Sequence, residues 1–194
     1  MVVSFMLSGH DAPYAVHMVE SVRAVHNCPI VQMTDMATPE VAGVDEVIRH
    51  KRDVGLMAFR LRHLARYAHD EMLILDTDVI CKAPCPEVWA QPFDVALTIR
   101  PKKPEMPYNT GVMFSRGTAF WQECLDVLVR GLKPKHQDWY GDQLAVAQVA
   151  RNRRFRVLEL PCRNYNWAPA EERDTRPAAK FVHYKGLRKK WIKP

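Results

Sequence analysis

Apolar runs of strand length alternate with segments of helical period along almost the whole of this 194-residue chain. Residues 2–8, 29–33, 47–48, 72–75, 95–99, 111–114, 157–160 and 180–183 read as strands. Residues 14–25, 56–68, 119–130 and 142–152 place apolar side chains three and four apart, the spacing of one helix face. Strand and helix taken in turn predict an α/β fold of Rossmann-like type, a single domain over 1–194 with a mainly parallel central sheet flanked by helices. In such sheets ligands collect at the carboxyl ends of the strands. The segment 100–110, RPKKPEMPYNT, carries three prolines and reads as an irregular loop over a site.

One strand ends unusually. Residues 71–80, EMLILDTDVI, run apolar and then deliver two aspartates one residue apart. Extended backbone puts residues i and i+2 on one side, so Asp76 and Asp78 can aim their oxygens at a common hard cation. The pattern alone is weak, since 12 Asp in 194 residues give about 0.7 such triplets by chance. A polar turn after a strand accounts for it equally well.

Charge and cysteines narrow the class. The net charge is +6, and RPKK (100–103), RNRRFR (151–156) and KGLRKKWIK (185–193) concentrate it. Clusters of this kind imply a polyanionic partner, such as nucleic acid, an anionic glycan or a lipid-linked core, with a solvated basic face as the plain alternative. Five scattered cysteines, Cys28, Cys81, Cys85, Cys124 and Cys162, are not a disulfide framework. The opening MVVSFMLSGH lacks a basic lead and a secretory apolar core, and no later run reaches spanning length, so a soluble, cytoplasmic protein is expected.

The stretch HYKGLRKKW, His183 to Trp191, joins the aspartates. It fits H-x-x-G-x-x-K-x-W, for which this composition gives a chance expectation of about 0.0005. With it, DAPY (11–14), Arg60, LDTDV (75–79), YNTGVMF (108–114) with Trp121, GDQ (141–143) and RNYNW (163–167) occur in the order seen in family 8 glycosyltransferases of the GT-A fold. The chain resembles a compact member of that family, with Lys190 where proline is usual and a short connection between Asp35 and Leu56.

The resemblance implies a metal-dependent, retaining transfer of a sugar from a UDP-sugar to an acceptor hydroxyl. It implies Asp76, Asp78 and His183 as ligands of Mn²⁺ or Mg²⁺, a mixed oxygen and nitrogen set that suits either ion. Asp11 and Tyr14 correspond to the uracil-binding positions, and Arg60, Asn109, Asp142 and Gln143 to those around the donor sugar. Gly186 would let backbone approach the phosphates, and Lys189 would neutralise the departing diphosphate. Asp142 also reads as a helix cap, and a covalent intermediate on it is an alternative to front-face substitution. Two other functions compete. DTDVI fits the opening of haloacid-dehalogenase-type phosphatases, but GDQLAVAQ offers one acid where that chemistry needs a pair. A non-catalytic sugar-nucleotide binder is the other.

Overall fold

A computed structural model describes residues 1–9, 12–68, 71–100 and 103–192. Seven strands form one sheet: β1 (Val2–Leu7), β2 (Ile30–Thr34), β3 (Glu46–Arg49), β4 (Glu71–Leu75), β6 (Val95–Ile99), β7 (Tyr108–Arg116) and β8 (Val157–Pro161). A separate antiparallel pair consists of β5 (Val79–Cys81) and β9 (Phe181–His183). The helices are α1 (Ala12–Val25), α2 (Leu56–Tyr67), α3 (Pro86–Trp89), α4 (Ala119–Asp126), α5 (Gly141–Arg151) and α6 (Cys162–Tyr165).

The sheet order is β3-β2-β1-β4-β7-β6-β8, parallel throughout except for β7, which runs against both of its neighbours. The expected mainly parallel α/β sheet is therefore present. Its strands lack polar alternation because both faces are covered. In β4, Leu73 and Leu75 enter the core beneath α1 and the β5–β9 pair, while Met72 and Ile74 enter the core beneath α2, α4 and α5. Burying one such side chain stabilises the fold by roughly 1.5–3 kcal/mol, so the strand is anchored from two sides.

Strand β7 departs from expectation. Residues 108–110, assigned above to a proline-rich loop, are its first three residues, and just before them the Pro107 carbonyl accepts from the Arg100 amide at 2.7 Å. Tyr108 and Thr110 favour strand, Asn109 does not but sits at the register shift with β6, and the prolines stop short of all three. The β6–β7 register jumps, pairing Leu97 with Met113 but Thr98 with Asn109, so residues 110–112 bulge out of the ladder with β6. That bulge lies beside the end of β4, where Leu75 pairs with Val112 and the Asp76 amide donates to the Gly111 carbonyl at 2.9 Å.

Three smaller differences follow from tertiary context. The helix expected over 119–130 passes at Val127 into a π-turn that ends at Gly131. Strand β5 is three residues long and finds its partner a hundred residues away in β9, a pairing no local period announces. The expected strand at 180–183 is β9, in this second sheet rather than the main one. All five cysteines are free thiols, and burial pushes those of Cys81 and Cys85 up to about 12.

Gly111 is packed directly against the His183 ring. A Cβ there would stand 2.3 Å from His183 Cε1 and 2.4 Å from Nδ1. Gly111→Ala should cost about 1–3 kcal/mol through overpacking, read as a lower urea midpoint at unchanged slope. An unchanged midpoint would mean that the His183 ring has somewhere else to go.

Candidate active site

Three separate segments meet at the carboxyl end of β4. Asp76 and Asp78 sit not on extended backbone, as the spacing suggested, but in a tight turn closed by the Val79 amide on the Asp76 carbonyl at 3.2 Å. The turn itself brings the two carboxylates together. His183, the last residue of β9, is carried over them because its neighbour Tyr184 donates its amide to the Asp78 carbonyl at 2.9 Å. Asp76, Asp78 and His183 each offer one atom to a set lying within 4.8 Å of one another.

Arg60 organises the other side. Its guanidinium lies 2.9 Å from Asp76 Oδ1 and 3.1 Å from Asp142 Oδ2, and donates to the Thr110 carbonyl at 2.8 Å. Thr110 Oγ1 donates to the same Asp142 oxygen at 2.9 Å, while Asp142 Oδ1 accepts from the Gln143 amide at 2.9 Å. Asp142 is thus in the first turn of α5, satisfying one of its free amides, while the N-cap itself is Tyr140, held at φ +45°. A left-handed tyrosine is strained backbone beside the site.

Burial pushes the Asp76 carboxyl above the usual carboxylate range against the pull of Arg60 and His183, although a third of its side chain faces the open cavity. Asp78 goes the other way. Burial raises it, but the hydrogen bond and charge of His183, 3.1 Å from Oδ1, and the charge of Lys189 outweigh this and hold it low. Lys189 Nζ lies 3.7 Å from Asp78 Oδ2 and 5.5 Å from the centre of the Tyr14 ring. Three carboxylates face two permanent cations here, an imbalance that a bound cation offsets.

Whether His183 can ligate a metal is decided behind it. Asn166 Nδ2 donates to Thr98 Oγ1 at 2.8 Å, which turns Asn166 Oδ1 toward His183 Nδ1 at 2.8 Å. Thr98 in turn donates to the Asn109 carbonyl at 2.8 Å. Nδ1 therefore carries a proton, and Nε2 is the nitrogen presented to Asp76 and Asp78. The donor set fits a hard or borderline divalent ion.

These residues line a cavity of about 430 Å³, large enough for a ligand of cofactor size. Arg60, Asp76, Asp78, Asn109, Asp142 and Gln143 all border it. So do His183, Gly186 and Lys189. Tyr14 reaches the group through Lys189, and Asp11 lies outside the described residues. Gly186 has φ +66° with open space around its Cβ position, so backbone geometry accounts for the glycine. Thr110 stood within YNTGVMF, Arg100 within RPKK, Lys185 within HYKGLRKKW and Asn166 within RNYNW, none with an individual site role, and Thr98 fell in no motif. The basic run 151–156 is elsewhere: Arg154 pairs with Glu123 and Arg156 with Asp94. The phosphatase reading gains no second acidic group, since Asp76, Asp78 and His183 are the one metal-type cluster among the described residues.

No protein-family model matches the chain, and no curated protein matches it either. Solved structures do. The chain is similar to the galactosyltransferase LgtC in complex with donor and acceptor sugar analogs, with a TM-score of 0.65 and 16% identity over 96% of this chain and 88% of that one. It is similar to the bifunctional glycosyltransferase WbbM in its apo form, with a TM-score of 0.67 and 15% identity over 96% of this chain and 46% of the other. The glycosyltransferase GlyE of Streptococcus pneumoniae TIGR4 gives 0.66 and 16%, over 98% of this chain and 59% of that. The α/β sheet with its reversed β7 is accordingly the fold of these glycosyltransferases, and the carboxylate cluster stands at the end of its fourth strand.

Proposed function

We propose that the protein is a metal-dependent retaining glycosyltransferase that moves a sugar from a UDP-sugar to an acceptor hydroxyl. The observation that carries this reading is the convergence of Asp76, Asp78 and His183 in the cavity of a glycosyltransferase-like fold. The three side chains would hold Mn²⁺ or Mg²⁺, and the ion, when bound, would supply positive charge for the diphosphate.

The remaining chemistry falls to the chain's own groups. Lys189, beside Asp78, is placed to meet the diphosphate as its charge grows, and Gly186 opens the backbone next to it. Tyr14, under the Lys189 ammonium, would face the uracil together with Asp11. Arg60, Asn109 and Gln143 line the cavity, the first two where the sugar hydroxyls would sit and Gln143 where it would face the anomeric centre. Asp142 already spends both oxygens, on Arg60 and Thr110 and on the Gln143 amide, which favours a positioning role over a free nucleophile. In the front-face route this leaves, the bond from C1 to the phosphate oxygen breaks with its electron pair going to UDP. The acceptor oxygen bonds C1 from the same face, and its proton passes to the departing phosphate oxygen.

Three measurements test the assignment. UDP affinity by calorimetry should fall at least about tenfold when EDTA replaces Mn²⁺, because the diphosphate and two aspartates repel without a cation between them. Equal affinity in EDTA, or an unaffected Asp78→Ala variant, contradicts the metal site. Asn166→Ala should weaken Mn²⁺ affinity by about ten- to a hundredfold through the freed imidazole, while the hydrogen bonds lost at Thr98 and His183 lower the melting temperature by only a few degrees, so that the folded protein can still be assayed. Lys189→Ala should lower kcat for UDP release by about a hundredfold with a smaller change in donor KM, since its contribution grows in the transition state. A pure KM effect would reassign Lys189 to ground-state binding.

A further inference from the structure

Two cations on the cavity wall have no part in the donor chemistry proposed above. Arg100, at the end of β6, donates to the Met106 carbonyl at 3.1 Å and to Gln143 Oε1, both neutral acceptors. Lys185, two residues beyond β9, makes no hydrogen bond or ion pair among the described residues, although it is half-buried and borders the cavity. Arg49 in β3 is likewise held by carbonyls, those of Asp35 and Thr38, but it does not border the cavity. Arg60, by contrast, has Asp76 and Asp142, and Arg116 has Glu71.

The surroundings of Lys185 sharpen the contrast. Apart from burial, which lowers its proton affinity, the charge that reaches it most strongly is that of Arg100, with Arg188 and Lys103 adding to it. The opposing group is Cys162, whose own thiol burial pushes up, so it supplies no anion. The charge of Asp142 reaches Arg100, but that carboxylate is already paired with Arg60, so two half-buried cations that repel each other are left short of a counterion. Lys189, 3.7 Å from Asp78 Oδ2, is the cation already assigned to the diphosphate.

Resting on the glycosyltransferase reading, we propose that Arg100 and Lys185 form the acceptor's anion site, and that the acceptor is a saccharide bearing a phosphate or carboxylate next to the hydroxyl that is glycosylated. The position rests on the role proposed for Gln143: Arg100 donates to its Oε1, so if Gln143 faces the anomeric centre, an anion on Arg100 would lie close to the reacting hydroxyl. Trp139, 70% exposed, and Tyr140 border the same cavity and offer aromatic faces to a sugar ring. Arg100 supplies a planar fork suited to an oxyanion, and Lys185 a mobile ammonium.

The test uses the full chain saturated with UDP and Mn²⁺ and measures binding by calorimetry, which does not require turnover. The probes are glucose 6-phosphate, glucuronic acid, glucose, and an eight-nucleotide single-stranded DNA. The two charged sugars should bind at least tenfold tighter than glucose, and Lys185→Gln should remove most of that preference while Lys185→Arg keeps it. Phosphate and carboxylate are told apart by which of the two probes binds better. No preference for a charged sugar, or a preference untouched in both Lys185→Gln and Arg100→Gln, overturns the site. Oligonucleotide binding that displaces the sugars and falls with salt by about 0.7 log units per log unit for each phosphate engaged would replace the saccharide with nucleic acid. The underlying reading is checked separately by UDP release from UDP-sugars in Mn²⁺ without acceptor. Release without charged-sugar binding overturns the anion site alone, whereas charged-sugar binding without release from any UDP-sugar removes the transferase.

Discussion

A single guanidinium ties the site to the fold. Arg60 projects from α2 and is 7% exposed, and it meets Asp76 at the end of β4, the Thr110 carbonyl in the β7 bulge and Asp142 at the start of α5. Four elements distant in sequence are therefore held by one charged group, and each carboxylate it touches would be costly to bury without it. Removing one partner of a buried pair of this kind costs about 3–5 kcal/mol, because the remaining charge is stranded. The same contact sets chemistry, since it occupies one oxygen of Asp76 and leaves the other toward His183.

The reversed strand explains why such a clamp can form. A parallel β7 would enter beside β4 from the opposite end and present its carboxyl terminus to Asp76. Running antiparallel, it brings residues 109–111 to that point, and the bulge frees Thr110 and Gly111 from β6 so that their carbonyls face Arg60 and the Asp76 amide. Gly111 has no side chain at the one place where His183 must pass. The strand order, the bulge and the glycine are thus parts of one arrangement, and the imidazole reaches the aspartates because all three agree.

Behind the imidazole runs a chain of neutral hydrogen bonds, His183 to Asn166 to Thr98 to the Asn109 carbonyl. Each member is buried and each has its partner, so the ring is oriented without a charge being spent on it. Charges are kept for the cavity side, where Arg60 and Lys189 are ion-paired with the carboxylates, while Arg100, which the charge of Asp142 reaches without pairing to it, and Lys185 have no ion pair among the described residues. This separation of paired and unpaired cations divides the cavity wall into two chemically distinct halves.

Sequence alone determined a good deal of this. Apolar runs and helical spacing were enough for the α/β class and for most strand positions, because period and burial are local consequences of side-chain order. The pairing of Asp76 and Asp78 with His183 was legible through motif spacing and the family resemblance it carried. Tertiary structure decided what depends on partners far along the chain. It set the direction of β7, the pairing of β5 with β9, and the turn that replaces extended geometry at Asp76. It joined Asn166 and Thr110 to the site through their hydrogen bonds and left Arg100 and Lys185 without an ion pair among the described residues, none of which the motifs holding these residues could show, because partners exist only once distant segments are packed together.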